Sequence, residues 1–297
     1  MTGSGPVDVP LVDRLAPRCT FPPPGTAVTC AVSGGADSLA LLVLAAAAGC
    51  AVTAVHVDHG LRAGSAAEAE VVRLAAHRFG AAVRCESVEL SPGPNLEARA
   101  RAARYAVLPP DVLTGHTADD QAETVLLNLM RGAGIDGLAG MRPARHPILA
   151  LRRSETVALC AELGLDPVDD PSNHDPVHRR NRVRHELVPL LDEIAGRDVT
   201  PILVRQAALL ADAAAHLDAA ASELDPAEGR VLREAPVVLS RIALRRWITE
   251  ATGSEHPVDS AAVERALDVA RGSIPSADLL GGWCVRRTAG RLRIERR

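Results

Sequence analysis

The sequence predicts an α/β protein: a parallel sheet with helices on both faces, followed by a smaller, mainly helical C-terminal domain. Two observations carry this reading. Between about residues 26 and 130, short apolar runs of strand length alternate with longer helical runs, which is the pattern of βαβ units. Beyond residue 200 that alternation stops, and a long Ala/Leu-rich stretch gives way to helical and then strand-like pieces.

The elements follow in order. TAVTCAV (26–32) reads as a buried strand, and SLALLVLAAAA (38–48) as a helix closed by Gly49. AVTAVHV (51–57) is the second strand, a helix follows at about 65–79 before Gly80, and 82–88 is the third strand. NLEARARAARYAVL (95–108) is a helix that Asn95 can cap. A short strand at 111–115 leads into a helix at about 118–130, and Gly132 to Met141 reads as a glycine-rich loop. Helices at 153–163 and 180–194 flank the turn-rich DPVDDPSNHDP. The expected organisation is a catalytic domain over 1–199, a helical linker over 200–229 and a C-terminal domain over 230–297.

Composition narrows the chemistry. Hydrophobic residues make up 47% and charged residues 24%, which is globular rather than disordered. Aromatics are 2%, so any nucleic-acid contact must rest on charge and shape rather than base stacking. All 33 basic residues are arginine, which excludes a Schiff-base lysine and a Walker-type lysine. The six cysteines form no C-x-x-C pair, which disfavours zinc ribbons and iron–sulfur clusters. Residues 1–25 lack a long apolar core, and no apolar run reaches membrane-spanning length, so a cytoplasmic protein with no membrane partner is expected.

The first motif is CAVSGGADSLALL (30–42). A strand that ends in Ser33-Gly34-Gly35 and turns directly into a helix makes an anion cradle. Glycine lets the backbone approach a ligand, and the helix N-terminus offers N–H groups and partial positive charge. Ser33 and Ser38 add hydroxyl donors. Asp37 would repel a bare phosphate, which suggests a Mg²⁺ between carboxylate and phosphate oxygens. A strand–turn–helix with a simple polar cap is the plainer alternative.

Further stretches are HVDHGLR (56–62), NLEARARAARY (95–105), GHTADDQAET (115–124) and DPSNHDPVHRRNRVRHELVPLL (170–191). SGGADS resembles the pyrophosphate loop of the N-type ATP pyrophosphatases, the PP-loop superfamily with a Rossmann-like fold. With the other motifs, in this order and over roughly residues 28–192, the chain resembles the tRNA(Ile)-lysidine synthetase family; the tail resembles that family's substrate-binding domain more weakly. The resemblance implies an ATP-dependent ligase. It adenylates the wobble cytidine of the CAU-anticodon isoleucine tRNA, and free L-lysine then displaces AMP from C2, giving lysidine and changing decoding from AUG to AUA. It implies ATP and Mg²⁺ as cofactors, tRNA and lysine as partners, and allows a homodimer.

On that reading Ser33, Gly34, Gly35, Ala36, Asp37 and Ser38 hold the phosphates, with Asp37 at the metal. Asp58, His59 and Arg62, after the second strand, are expected at the adenosine, and Arg99 or Arg104 at the nucleotide or substrate; Tyr105 is expected to pack. In GHTADDQAET, two or three of Asp119, Asp120 and Glu123 fall on one helical face. Thr117 and Asp120 can form a capping box there, and the same carboxylates can hold the ammonium groups of lysine. Its ε-amine, with a pKa of about 10.4 in water, must lose a proton to attack, to a carboxylate or to His116. HRRNRVRH (178–185) has four arginines and no acid. Asn181, Arg182 and Arg184 are expected to contact tRNA or nucleotide, with Arg182 catalytic. Gly281–Arg297, with six arginines and one glutamate, is a second expected tRNA surface. One departure is His146-Pro147-Ile148-Leu149, where the resembled family commonly reads Arg-Pro-Leu-Leu; a phosphate role there would pass to Arg142 or Arg145.

Two classes of rival, same-fold enzymes and a module without turnover, are weaker. A 2-thiocytidine-forming relative would want paired cysteines near the site, and a glutamine amidotransferase a glutaminase domain. A nucleotide-binding module without turnover would need neither the DDQAE carboxylates nor the basic tail.

Overall fold

The computed structural model describes residues 9–58, 65–88, 99, 102–103, 106–169, 175–253 and 258–297. It divides into two compact units, Met1–Ala208 and Leu209–Arg297, and the division falls within a long helix, Thr200–Ser222.

The first unit opens with helix α1 (Pro10–Leu15), then alternates β1 (Ala27–Ala31), α2 (Ala36–Ala47), β2 (Ala51–Asp58), α3 (Ser65–Arg78) and β3 (Ala82–Ser87). β4 (Leu113–Thr114) is shorter than the expected strand, and α4 (Ala118–Met130) follows it. All four strands are parallel, in the order β3-β2-β1-β4, with Ala31 paired to Val55 on one side and to Thr114 on the other. The sheet is therefore parallel, as the alternation of runs predicts. Its order reverses between β1 and β4. A crevice opens outside the carboxyl ends of strands at such a switch point, where ligands of open parallel sheets bind.

α2 explains its unbroken apolar sequence. Leu39 to Ala45 are all fully buried, because the helix is enclosed by the sheet, by α3 and by α6 (Arg153–Glu162). A helix that is apolar all round is a helix with no solvent face. On the opposite sheet face Val55, Leu108 and Val112 form a smaller cluster.

Two segments differ from expectation. The glycine-rich loop contains a helical turn, α5 (Ile135–Leu138). Gln121 of α4 fastens this segment, donating to the carbonyls of Ala139 and Met141 and accepting from Met141 N–H. The helix expected at 180–194 is broken into α7 (Arg179–Arg182), a π-helical stretch (Val183–Leu187) and α8 (Val188–Ala195). Pro189 supplies the cause: it has no N–H for the α-helical bond, and its ring clashes with the carbonyl four residues back. A wider turn before it relieves both.

The second unit begins within α9 (Thr200–Ser222) and continues with α10 (Gly229–Glu234), α11 (Val237–Thr252) and α12 (Ser260–Arg271). An antiparallel sheet of β5 (Ser276–Asp278), β6 (Trp283–Thr288) and β7 (Arg291–Arg296) completes it. Val285 and Leu292 pack with Leu244, Ile248, Val263 and Leu267 in its own core. No described helix is long and apolar enough to cross a membrane.

Candidate active site

The site is built where the β1 and β4 loops meet. Gly34 has φ +91°, a conformation that side chains rarely adopt, and its carbonyl accepts from Val168 N–H at 3.0 Å. Gly35 caps α2. The Ser38 hydroxyl donates to the Gly35 carbonyl at 2.8 Å and accepts from Ser33 N–H at 3.1 Å, so it ties the turn together. Gly115 is as constrained as the loop glycines. A Cβ there would lie 2.6 Å from the Asp37 carbonyl oxygen, so glycine is what lets the β4 loop press onto the start of α2. The result is a glycine turn at a helix N-terminus, the kind of place where backbone N–H groups receive an anion.

Asp37, in the first turn of α2, accepts from the Thr156 hydroxyl and, at 3.4 Å, from Arg153 Nε. Burial pushes its carboxyl up to about 6, against the pull of Thr156 and Arg153. Among the described residues no group of three or more His, Cys, Asp or Glu could hold a metal. A single carboxylate beside a phosphate cradle is nonetheless the donor set of Mg²⁺, which is held largely by phosphate oxygens and water.

Of the α4 carboxylates the structure gathers Asp120 and Glu123, and all three are already engaged. Asp120 caps the helix, accepting from Thr117 N–H at 2.9 Å. Its other oxygen accepts from Arg153 at 2.9 Å, Arg180 at 3.1 Å and Arg184 at 3.4 Å. Glu123, 2% exposed, accepts from Arg180 Nε and Arg184 Nε, each at 2.6 Å, and from Arg153 at 3.4 Å. Burial alone would raise the Asp120 carboxyl, but Arg153, Arg180 and His116 outweigh it and hold it at about 2. Asp119 stands apart, gripped by the Arg152 guanidinium and by Arg153 N–H at 2.7 Å.

His116 follows Gly115, and its Nδ1 lies 2.8 Å from the Thr114 hydroxyl. Asp58 ends β2 half-buried, and Arg99 lies in a helical turn. His59, Arg62, Arg104 and Tyr105 lie outside the described residues.

The basic cluster is arranged differently from the expectation. Arg182 points away from the carboxylates, pairing with Glu186 one turn on at 2.7 Å. Arg180 and Arg184 turn inward, being four apart on the face opposite to it, and Asn181 is buried with its amide on the Asp175 carbonyl. The residues missed in the sequence are Arg153, Thr156 and Arg180. One signal was available for the first: Arg152 and Arg153 open a helix, where the macrodipole disfavours cations. Two arginines there imply acidic partners from elsewhere in the chain.

Comparisons with known proteins bear on the family. The family model of the PP-loop domain matches residues 14–191. The tRNA(Ile)-lysidine synthase of Nocardia farcinica is 41% identical over 256 residues, covering 80% of each chain. That of Rhodococcus jostii is 40% identical over 301 residues, covering 91% of this chain and 90% of the other. Among solved structures, a U34-tRNA thiolase from Methanococcus maripaludis superposes with a TM-score of 0.54 at 16% identity, over 67% of this chain and 78% of the other, a likeness of fold alone. With identity of this order along most of its length, and with the loop of β1 and the carboxylates of α4 meeting at one crevice, the chain belongs to the tRNA(Ile)-lysidine synthase family.

Proposed function

We propose that this chain ligates free L-lysine to C2 of the wobble cytidine of the CAU-anticodon isoleucine tRNA, consuming ATP. The observation that carries the reading is the meeting of the Ser33–Ser38 turn, at the N-terminus of α2, with the buried pair Asp120 and Glu123 at the carboxyl ends of β1 and β4. In the first step the cytidine O2 attacks the α-phosphate of ATP, forming an O2-adenylated cytidine and releasing pyrophosphate. The cradle and the N-terminus of α2 hold the departing pyrophosphate. Asp37 would hold Mg²⁺ together with phosphate oxygens; that ion supplies charge neutralisation.

In the second step the ε-amine of lysine, having lost a proton, attacks C2, and the C2–O bond breaks to release AMP. Asp120 and Glu123 bind the ammonium groups. Their present partners are guanidinium groups, so lysine enters by exchange with Arg180 or Arg184, while Arg153 remains to tie the pair to Asp37. His116, the residue before the Thr117 cap of α4, takes the amine proton. The protein acts on tRNA through arginines of its second unit and works without any membrane partner.

The deciding experiment follows pyrophosphate and AMP release from ATP with CAU-anticodon isoleucine tRNA, with and without lysine. Pyrophosphate with tRNA alone and AMP only on adding lysine is the expected result. ATP binding without either product would instead make the chain a nucleotide-binding module.

A further inference from the structure

His116 is not an isolated imidazole. Thr114, at the end of β4 and buried, places its hydroxyl between two histidines: 2.8 Å from His116 Nδ1 and 2.6 Å from His146 Nδ1. The two rings stand 4.9 Å apart, tilted by 58°. Three different segments meet here: the last residue of β4, the turn into α4, and the residue after the 3₁₀ turn Pro143–Arg145.

A threonine hydroxyl has one proton to give and can accept others. It can donate to only one of the two Nδ1 atoms, so at least one ring must carry its proton on Nδ1. Within this trio a directional arrangement uses the one hydroxyl proton, with one ring donating to Thr114 and Thr114 donating to the other. The two imidazoles are then held in opposite tautomers. In a neutral imidazole the tautomer decides which nitrogen keeps the lone pair, and a buried hydrogen bond at one nitrogen fixes the other.

We propose that Thr114 and His146 are positioning residues for His116. His116 donates from Nδ1 to Thr114, Thr114 donates to Nδ1 of His146, and the Nε2 lone pair of His116 is thereby presented to the proton of the incoming amine. The identity of that proton rests on the lysine-ligating reading given above. The choice of direction rests on it too, while the tautomers themselves belong to the free protein and are measured there. Neither Thr114 nor His146 touches substrate in this scheme; they act through the orientation and tautomer of His116, at a cost to the reaction when removed that follows from loss of a correctly protonated base.

The test uses the full chain labelled with ¹⁵N, its histidine tautomers read from long-range ¹H–¹⁵N correlations and assigned with His116→Gln and His146→Gln. The expected result is a proton on Nδ1 of His116 and on Nε2 of His146. Thr114→Val should abolish the preference at His116, and Thr114→Ser should restore it. In single turnover, Thr114→Val should slow the lysine-dependent step by about a hundred-fold, the lower end of what a general base contributes, with rescue by Thr114→Ser. A proton on Nε2 of His116 in the unmodified protein overturns the proposal, as does a Thr114→Val protein whose tautomers and lysine step match the parent. If Thr114→Val fails to fold, the tautomers of the parent protein and of Thr114→Ser decide. If the parent shows no lysine-dependent turnover, the functional reading fails, while the tautomer measurement still decides the positioning claim.

Discussion

Replacing Asp37 by Asn should stabilise the metal-free protein and stop its chemistry. Burial holds the Asp37 carboxyl at about 6, against an ordinary value of 3.8. The folded chain thus binds this proton more tightly than the unfolded chain does, and stability falls as pH rises from about 4 through about 6. Each pKa unit is worth about 1.4 kcal/mol, so keeping Asp37 ionised at pH 8 costs roughly 3 kcal/mol before ligands arrive. Asn keeps an oxygen for the Thr156 hydroxyl and carries no charge to desolvate. Urea unfolding in EDTA should show the two proteins nearly equal at pH 4.5, and the Asn variant ahead by about 2–3 kcal/mol at pH 8. Titrations elsewhere in the chain are common to both proteins and cancel in the difference. A difference that does not change with pH, or a parent protein that is the more stable at pH 8, would refute the assignment of a strained carboxylate to this turn. Pyrophosphate release should be lost in the same variant. A destabilising charge kept beside a phosphate cradle is what a stability–function trade-off looks like.

Other outcomes follow from the same contacts. Glu123→Gln should lose lysine transfer and lower stability by about 3 kcal/mol, read by urea unfolding, because it leaves inward-facing guanidinium groups short of a partner. Arg182→Ala, whose side chain among the described residues pairs with the exposed Glu186, should leave the unfolding midpoint unchanged, and retained turnover would remove it from the catalytic residues. Arg180→Ala should narrow the gap between lysine and its decarboxylated analogue as acceptors, since it removes a guanidinium that the lysine carboxylate can re-pair; an unchanged gap would show that Arg180 takes no part in the exchange. Arg286 and Arg293 face each other across β6 and β7, a like-charge pairing that disfavours the sheet and suits a polyanion. Their double Ala variant should flatten the salt dependence of tRNA binding by up to about 2 in log–log slope, by analogy with DNA.

What the sequence disclosed and what it withheld divide along contact distance. The alternation of strand and helix runs, the turn at Ser33–Gly35 and the Thr117–Asp120 cap each depend on residues a few positions apart, and periodicity or turn chemistry reports such relations directly. Arg153 reaches Asp37 across 116 positions and Arg180 reaches Glu123 across 57. No local pattern encodes those pairings; they exist only once α6 has packed on α2 and the 179–187 segment has folded over α4. The choice of Arg182 over Arg180 shows the same limit. Four arginines within six residues look equivalent in sequence, and only the winding of α7 and the π-helical stretch after it separates the two that turn inward from the one that meets solvent.

The charges at the crevice explain why exchange suits lysine better than simple addition. Asp37, Asp120 and Glu123 face Arg153, Arg180 and Arg184, three carboxylates against three guanidinium groups, so the ligand-free cluster is balanced. Burying such a set without pairing would be costly, and internal arginines meet that need while the substrate is away. Lysine brings two ammonium groups and one carboxylate. When an ammonium takes the place of a guanidinium on Glu123, the freed arginine gains a carboxylate to bind, so each charge released by the exchange finds a partner on the substrate itself. A simple amine of the same length would displace the arginine and leave it unpaired. On the proposed reading, the arginines that crowd the carboxylates are therefore what distinguishes the amino acid from its decarboxylated analogue, and cadaverine should be a far poorer acceptor than lysine in the AMP-release assay.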